Sequence, residues 1–187
     1  MTKPMKKASR SRSVHKALPR STAGMSATLK TPANLRRGLP PIWCSRDWPM
    51  HLYRADVIRR MTVVKEGVPA RYVRVLSASM HVSVEKLYRA LGLVRPTVDR
   101  KMRMARPLNA DESERVLEFA RLIGQAQCEI EESGGSTTFD AAAWMAQWMF
   151  QPVPALGGKT PSEFMDTVDG RALIATLLAQ QQSGVYA

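Results

Sequence analysis

The sequence predicts an all-α fold: a helical bundle preceded by a disordered basic arm. Three observations carry that prediction. After Met50 the apolar residues recur at three- and four-residue spacing nearly throughout, which is the period of one helix face. No segment alternates apolar and polar residues convincingly, so no strand is expected. The first fifty residues hold six of the twelve prolines, many Ser and Thr, and neither period. Such a segment buries too little apolar area to offset its chain entropy.

Taken in order, residues 1–50 form the arm, with eleven basic residues and no acid between Met1 and Arg46. It reads as a phosphate-binding arm that raises affinity without adding sequence preference. An ordinary solvated tail, with Met25 or Met50 as the true start, and an organellar transit peptide are the other readings of that composition. Pro40, Pro41, Trp43, Trp48 and Pro49 make a small apolar group expected on the domain edge. Val57, Met61 and Val64, at i, i+4 and i+7, then predict a helix with these three on its buried face. Gly67 breaks it, and Pro69 suits the first turn of the next helix, where a missing N–H costs nothing. Tyr72, Val73, Leu76 and Met80 supply that helix's apolar face. Ser83 is an N-cap for a short helix through Leu87 and Leu91. Gly92 suits a tight turn, and a further helix runs from about Pro96 to Met104 with Val98 and Met102 inward.

Asn109-Ala110-Asp111-Glu112 has capping-box spacing and opens a long helix with Val116, Phe119, Ile123 and Ile130 on the buried side. Its acids cluster near its start, which complements the helix dipole. Ser133-Gly134-Gly135-Ser136 closes it as a loop. Ala141, Trp144, Met145 and Trp148 give the next helix a strong apolar face, and both tryptophans are expected in the core. Thr160-Pro161-Ser162-Glu163 joins a capping box to a proline at the first helical position, a helix start. A last helix from about Val168 to Gln182 uses Leu173, Ile174, Leu177 and Leu178 and stops at Ser183-Gly184. No internal repeat is present.

Composition narrows the function. The chain has 187 residues, 44% of them apolar, and a formal charge of +12, so it favours anionic partners. Cys44 and Cys128 are too few for a disulfide framework or a Cys-rich zinc site. No apolar run approaches the length of a membrane span, and the start lacks a secretory h-region, so a soluble cytoplasmic protein is expected. Charge is uneven. Residues 47–106 carry thirteen basic and five acidic side chains, and residues 107–187 four basic and eleven acidic. A basic front and an acidic back suggest two jobs with two kinds of partner.

The stretch Ser83–Arg103 fits helix-turn-helix spacing. Leu87, Leu91 and Leu93 form the inner corner, Gly92 the turn and Val98 the lock. Arg95, Thr97, Arg100, Lys101 and Arg103 are left toward solvent on or beside the second helix. Arginine reads guanine through two hydrogen bonds, and Arg or Lys holds phosphates, so these five are the DNA-binding candidates. Two residues fit poorly: Tyr88 stands where a small residue usually meets the partner helix, and Asp99 is expected to repel phosphate. A helical hairpin with a solvated basic face is the competing reading.

Other patterns carry less. Gly157-Gly158-Lys159-Thr160 resembles the end of a phosphate-binding loop, but that loop needs glycine where Val153 stands and a strand before it. His15, His51 and His81 have no metal spacing with the cysteines, and no nucleophile–base pair stands out, so neither a cofactor nor catalysis is expected.

The segment from Pro154 through Leu178, with its Leu156-Gly157-Gly158-Lys159-Thr160-Pro161 core, and the ending Ser183-Gly184-Val185-Tyr186-Ala187 resemble the toxin-binding domain of Xre/MbcA/ParS-type antitoxins. The resemblance extends back over residues 54–132 and excludes the arm, which makes a transit peptide the weakest reading of it. It implies an Xre-like DNA-binding region over 51–133 and a small helical toxin-binding domain over 134–187. It further implies an antitoxin of a type II module whose partner is a RES-domain toxin that attacks NAD. In that family the extreme carboxyl terminus can enter the toxin's active site. Gly157, Gly158, Lys159, Thr160, Pro161, Gly184, Val185, Tyr186 and Ala187 are the implied toxin-binding residues. Val185, Tyr186 and Ala187 are expected to fill a pocket, with the terminal carboxylate paired to a toxin cation. Operator DNA is the second partner, and a homodimer or a larger hetero-oligomer with the toxin is expected. A free-standing helix-turn-helix regulator without a toxin is the alternative function.

Overall fold

Eight α-helices, two 3-10 turns and no strand make up the described part of the chain in the computed structural model, residues 47–134 and 138–182. All of these residues belong to the unit Leu39–Ala187. The helices are α1 (Trp48–Arg54), α2 (Val57–Glu66), α3 (Tyr72–Ser79), α4 (Val84–Ala90), α5 (Arg95–Arg103), α6 (Ala110–Glu132), α7 (Ala141–Met149) and α8 (Val168–Gln182), with 3-10 turns at Pro154–Leu156 and Pro161–Phe164. Residues 1–46, with Pro40, Pro41 and Trp43, and residues 135–137 lie outside the described residues.

The central element is α6, which packs against α1, α2, α7 and α8. Its start is a true capping box. The Asn109 side chain accepts from the Glu112 N–H at 2.8 Å, and the Glu112 carboxylate accepts from the Asn109 N–H at 2.9 Å. One turn on, the buried Ser113 hydroxyl accepts from the Val68 N–H at 3.0 Å, and the Leu108 N–H donates to the Val68 carbonyl at 2.8 Å. These bonds tie the start of α6 to the link between α2 and α3. Pro69 therefore does not open α3 as expected; it bridges Pro107 in an extended link, and α3 begins at Tyr72.

Two further expectations change. Trp48 and Pro49, placed in the arm by composition, open α1, and Trp48 and Leu52 are buried in the core. There α1 crosses α6 at Gly124, where an added Cβ would fall 2.1 Å from the Pro49 carbonyl oxygen, so only glycine allows this approach. Helix α2 forms as expected but turns the other way. Only Val63 is buried, whereas Val57, Ile58 and Met61 are exposed. Of the remaining faces, Ile130 near the end of α6 is only half-buried and lies off the core, and the others agree with the periodicity. Tyr72, Val73, Leu76, Met80, Leu87, Leu91, Val98, Val116, Phe119, Ile123, Met145, Ile174 and Leu178 share one core. Trp148 is buried in it, and Trp144 packs on its edge. Leu173 is the exception on α8 and faces out.

Candidate functional site

The basic surface is built on α5. Val98, fully buried, locks this helix to the core and leaves Arg95, Arg100 and Arg103 exposed, with Thr97 half-buried. Arg100 and Arg106 also line a shallow depression of 310 Å³ beside the start of α6. Lys101 departs from its expected place. It pairs with Glu112 and is largely buried, so its charge fastens the last turn of α5 to the cap of α6.

Both residues that fitted poorly acquire a partner. Tyr88 is buried, and its hydroxyl donates to Asp99 Oδ1 at 3.0 Å. Burial, reinforced by the Asp99 charge, pushes the Tyr88 phenol up to about 12. Two guanidiniums cover the same carboxylate: Arg95 on Oδ2 at 3.4 Å and Arg74 of α3 on Oδ1 at 3.7 Å. Asp99 is thus a tether whose charge is offset, and it gathers two arginines from different helices onto one side. Arg95 is also held by Glu85 at 3.3 Å. Sequence spacing does not single out Arg74, because it lies outside the helix-turn-helix stretch and only packing brings α3 beside α5.

A second helix-turn-helix-like pair precedes this one. The corner between α3 and α4 is turned by His81 in a left-handed backbone with φ 55°. The small buried Ser77 at that corner donates its hydroxyl to the Val82 carbonyl at 2.8 Å. However, α4 packs against the turn Pro161–Phe164, and its Lys86 ammonium lies 4.0 Å from the centre of the Phe150 ring. This leaves α5 as the freer basic helix.

The carboxyl-terminal surface starts at a closed loop. The Val153 N–H donates to the Lys159 carbonyl at 3.0 Å, and the Gly158 N–H donates to the Val153 carbonyl at 3.2 Å. Gly157 and Gly158 take φ of 66° and 80° inside it. Gly157, Gly158 and Lys159 are exposed, Thr160 is half-buried and Pro161 buried. The Thr160 N–H and hydroxyl both donate to Glu163 Oε1, at 2.9 and 3.0 Å. The backbone bond, ahead of the hydroxyl, holds the Glu163 carboxyl below the usual range. The expected helix start is a 3-10 turn of four residues.

Beyond it, α8 buries Ile174 and Leu178 and presents Val168 (67% exposed), Ala172, Leu173 (43%), Thr176 and Ala179 outward. The exposed Asp169 shares this side in the first turn; from Ala172 to Ala179 the strip carries no charge, and Arg171 turns inward and donates to the Met165 carbonyl at 3.2 Å. Gly184, Val185, Tyr186 and Ala187 lie outside the described residues. The two surfaces meet at Gly92. Arg115 of α6 donates to the Leu91 and Gly92 carbonyls at 3.1 and 2.8 Å, and an added Cβ at Gly92 would lie 3.3 Å from Asp166 Cβ.

Residues 59–121 match the model of the antitoxin Xre-like helix-turn-helix domain, and residues 136–184 match that of the antitoxin Xre/MbcA/ParS C-terminal toxin-binding domain. A protein named Prs ADP-ribosylating antitoxin, from Sphingobium sp. (strain YBL2), is 43% identical over 136 residues, 73% of this chain and 86% of its own length. The chain belongs to the Xre/MbcA/ParS antitoxin family. Antitoxin Xre from Photorhabdus laumondii subsp. laumondii is similar at 26% identity over 123 residues, 66% of this chain and 78% of that protein. In this antitoxin, α5 lies inside the first match, and the loop Val153–Lys159 and the outward strip of α8 lie inside the second. This antitoxin thus carries a helix-turn-helix domain and a toxin-binding domain in one chain. No helix among its described residues is long and apolar enough to cross a membrane.

Proposed function

We propose that this antitoxin neutralises a RES-domain toxin that consumes NAD, and that it does so by occlusion in the cytoplasm, without catalysis of its own. The observation that carries the reading is the outward strip of α8 from Ala172 to Ala179, uncharged beyond Asp169 in the first turn; in sequence α8 is followed by Gly184, Val185, Tyr186 and Ala187. Beyond Asp169 that partly apolar face desolvates at low cost and so serves as the core of an interface, with Asp169 and other polar groups at the rim. Gly157, Gly158, Lys159 and Thr160 serve as further toxin contacts, and the buried Pro161 anchors the end of their loop. The segment Gly184–Ala187, beyond α8, enters the toxin's NAD site. The name of the Sphingobium relative refers to ADP-ribosylation of Prs, and ADP-ribosyl groups are drawn from NAD, so the toxin's reaction is either NAD hydrolysis or ADP-ribosyl transfer.

The same chain represses its own operon. Arg95, Thr97, Arg100 and Arg103 contact operator DNA, joined by Arg74, while Lys101 holds the helix in place. The protein binds as a homodimer or as part of a larger complex with the toxin. The test uses the purified toxin from the adjacent reading frame. Stoichiometric addition of the full chain abolishes NAD consumption, and removal of residues 185–187 restores much of it while operator binding stays intact. Full inhibition by the truncated chain overturns the occlusion mechanism. Failure of the full chain to bind that toxin overturns the antitoxin pairing and favours a free-standing regulator.

A further inference from the structure

The depression where α5 ends and α6 begins is basic. Arg100, Lys101 and Arg106 line its 310 Å³, together with Met104, Pro107 and Asn109. From Arg100 to Asn109 the chain has four basic residues and no acid. The lining includes neither a carboxylate nor an aromatic ring.

A sharp turn brings Arg106 to this place. Ala105 takes a left-handed backbone with φ 50°. Its N–H donates to the Met102 carbonyl at 3.1 Å, and the Arg106 N–H returns to the Lys101 carbonyl at 2.9 Å. Helices that end in this way usually set an apolar pair at the positions of Lys101 and Arg106. Here both positions are basic. The chain beyond is fixed, because Pro107 bridges Pro69 and the Leu108 N–H donates to the Val68 carbonyl at 2.8 Å. Backbone bonds on both sides therefore preorganise Arg106.

Like charges gathered at one cavity repel unless an anion lies between them. The acids nearest in sequence are engaged elsewhere. Glu112 neutralises Lys101, Asp111 pairs with Arg115, and Asp99 holds Tyr88, Arg74 and Arg95. Arg100 and Arg106 are exposed and have no ion-pair partner among the described residues. We propose that this depression is a phosphate-binding site with Arg100 and Arg106 as its two guanidinium ligands. Forked guanidinium donors match phosphate oxygens. No ring is present to stack a base, so the phosphate group itself is what the site recognises. A backbone phosphate of operator DNA and free pyrophosphate offer that same group. Only the first source rests on the proposed DNA-binding reading, and there Arg106 adds a sequence-independent anchor beyond α5.

Two titrations of the full chain test the site and separate the sources. In the first, pyrophosphate is added without DNA at constant ionic strength, and the arginine Nε–H signals are followed by nuclear magnetic resonance. The Arg100 and Arg106 signals move together and saturate. Arg106→Gln weakens this binding at least threefold, whereas Lys65→Gln, which removes an exposed charge on α2, leaves it unchanged. In the second, duplex affinity is measured from 50 to 200 mM salt. Arg106→Gln lowers the slope of log affinity against log salt by about 1, equally on operator and unrelated duplex. Effects in both titrations assign the site to a DNA phosphate, and an effect of Arg106→Gln on pyrophosphate alone assigns it to a free phosphate. A wild-type chain that binds no DNA overturns the DNA-binding reading and leaves the pyrophosphate result to decide the site. Arg106→Gln without effect in either titration, or losses matched by Lys65→Gln, overturns the proposal.

Discussion

Replacing Gly92 with alanine probes the point where the helix-turn-helix and the carboxyl-terminal segment touch. Gly92 has φ 58°, and an L side chain there costs about 1–2 kcal/mol of backbone strain. The new Cβ would fall 2.9 Å from Arg115 Nη1 and 3.3 Å from Asp166 Cβ. Arg115 must move, and it takes with it two charge-assisted bonds to the Leu91 and Gly92 carbonyls. Each is worth roughly 1.5 kcal/mol or more when made by a charged donor, though a shifted guanidinium recovers part of this through water. A total loss of about 2–4 kcal/mol is therefore expected. The control is Gly157→Ala, at φ 66° with nothing within 4 Å of the added Cβ, which should cost only the strain of about 1–2 kcal/mol. Urea unfolding followed by circular dichroism gives both numbers, provided the slopes agree. Equal losses at the two glycines would refute the claim that Arg115 and Asp166 clamp the turn.

Other outcomes follow from the same geometry. Glu129 Oε2 is buried without a hydrogen-bond partner, and burial raises this carboxyl's pKa. Since its folded value lies above the unfolded one, stability falls as pH rises through that window. Glu129→Gln should raise the melting temperature at pH 7, with the gain disappearing below about pH 4.5, where the acid is protonated in both states; a gain independent of pH would contradict this. Arg100→Ala and Arg103→Ala should each weaken operator binding by about 1–3 kcal/mol if the contact is to a base, measured by titration at fixed salt; unchanged affinity would return α5 to a plain solvated helix. Lys101→Ala should instead lower stability, because it strands the largely buried Glu112 carboxylate. Leu173→Asp should weaken toxin binding at least tenfold with little change in melting temperature, since the side chain is on the open strip of α8; a folded variant with full affinity would move the interface elsewhere.

Local signals are legible in the amino-acid sequence alone. Ser83, Asn109 and Gly92 mark helix ends through backbone geometry and hydrogen bonds within three or four residues, and all three hold those places. The errors arise where tertiary packing decides. Periodicity identifies an apolar face on α2 and α8 without saying whether a neighbour covers it, so it sends Val57, Met61 and Leu173 to the core, and the fold leaves them outside. Composition cannot distinguish a Pro-flanked tryptophan in an arm from one opening a helix, and Trp48 needs Gly124 across from its helix. Lys101 resembles its arginine neighbours in sequence because its partner Glu112 is eleven residues away on another helix. Asp99 reads as a defect in isolation, and Tyr88, Arg74 and Arg95 around it make it a tether. The specific part of the site is legible for a different reason: the Gly157–Pro161 motif is a family pattern, and spacing alone leaves it as a tight turn.

Neutralisation by occlusion requires the segment after α8 to occupy the toxin's NAD site. Steady-state inhibition of the toxin by the full chain, repeated at rising NAD, tests this directly. Competition is predicted, with the antitoxin concentration needed for half inhibition increasing in proportion to NAD. An inhibition curve that does not move with NAD would place the contact away from the catalytic cleft and contradict occlusion.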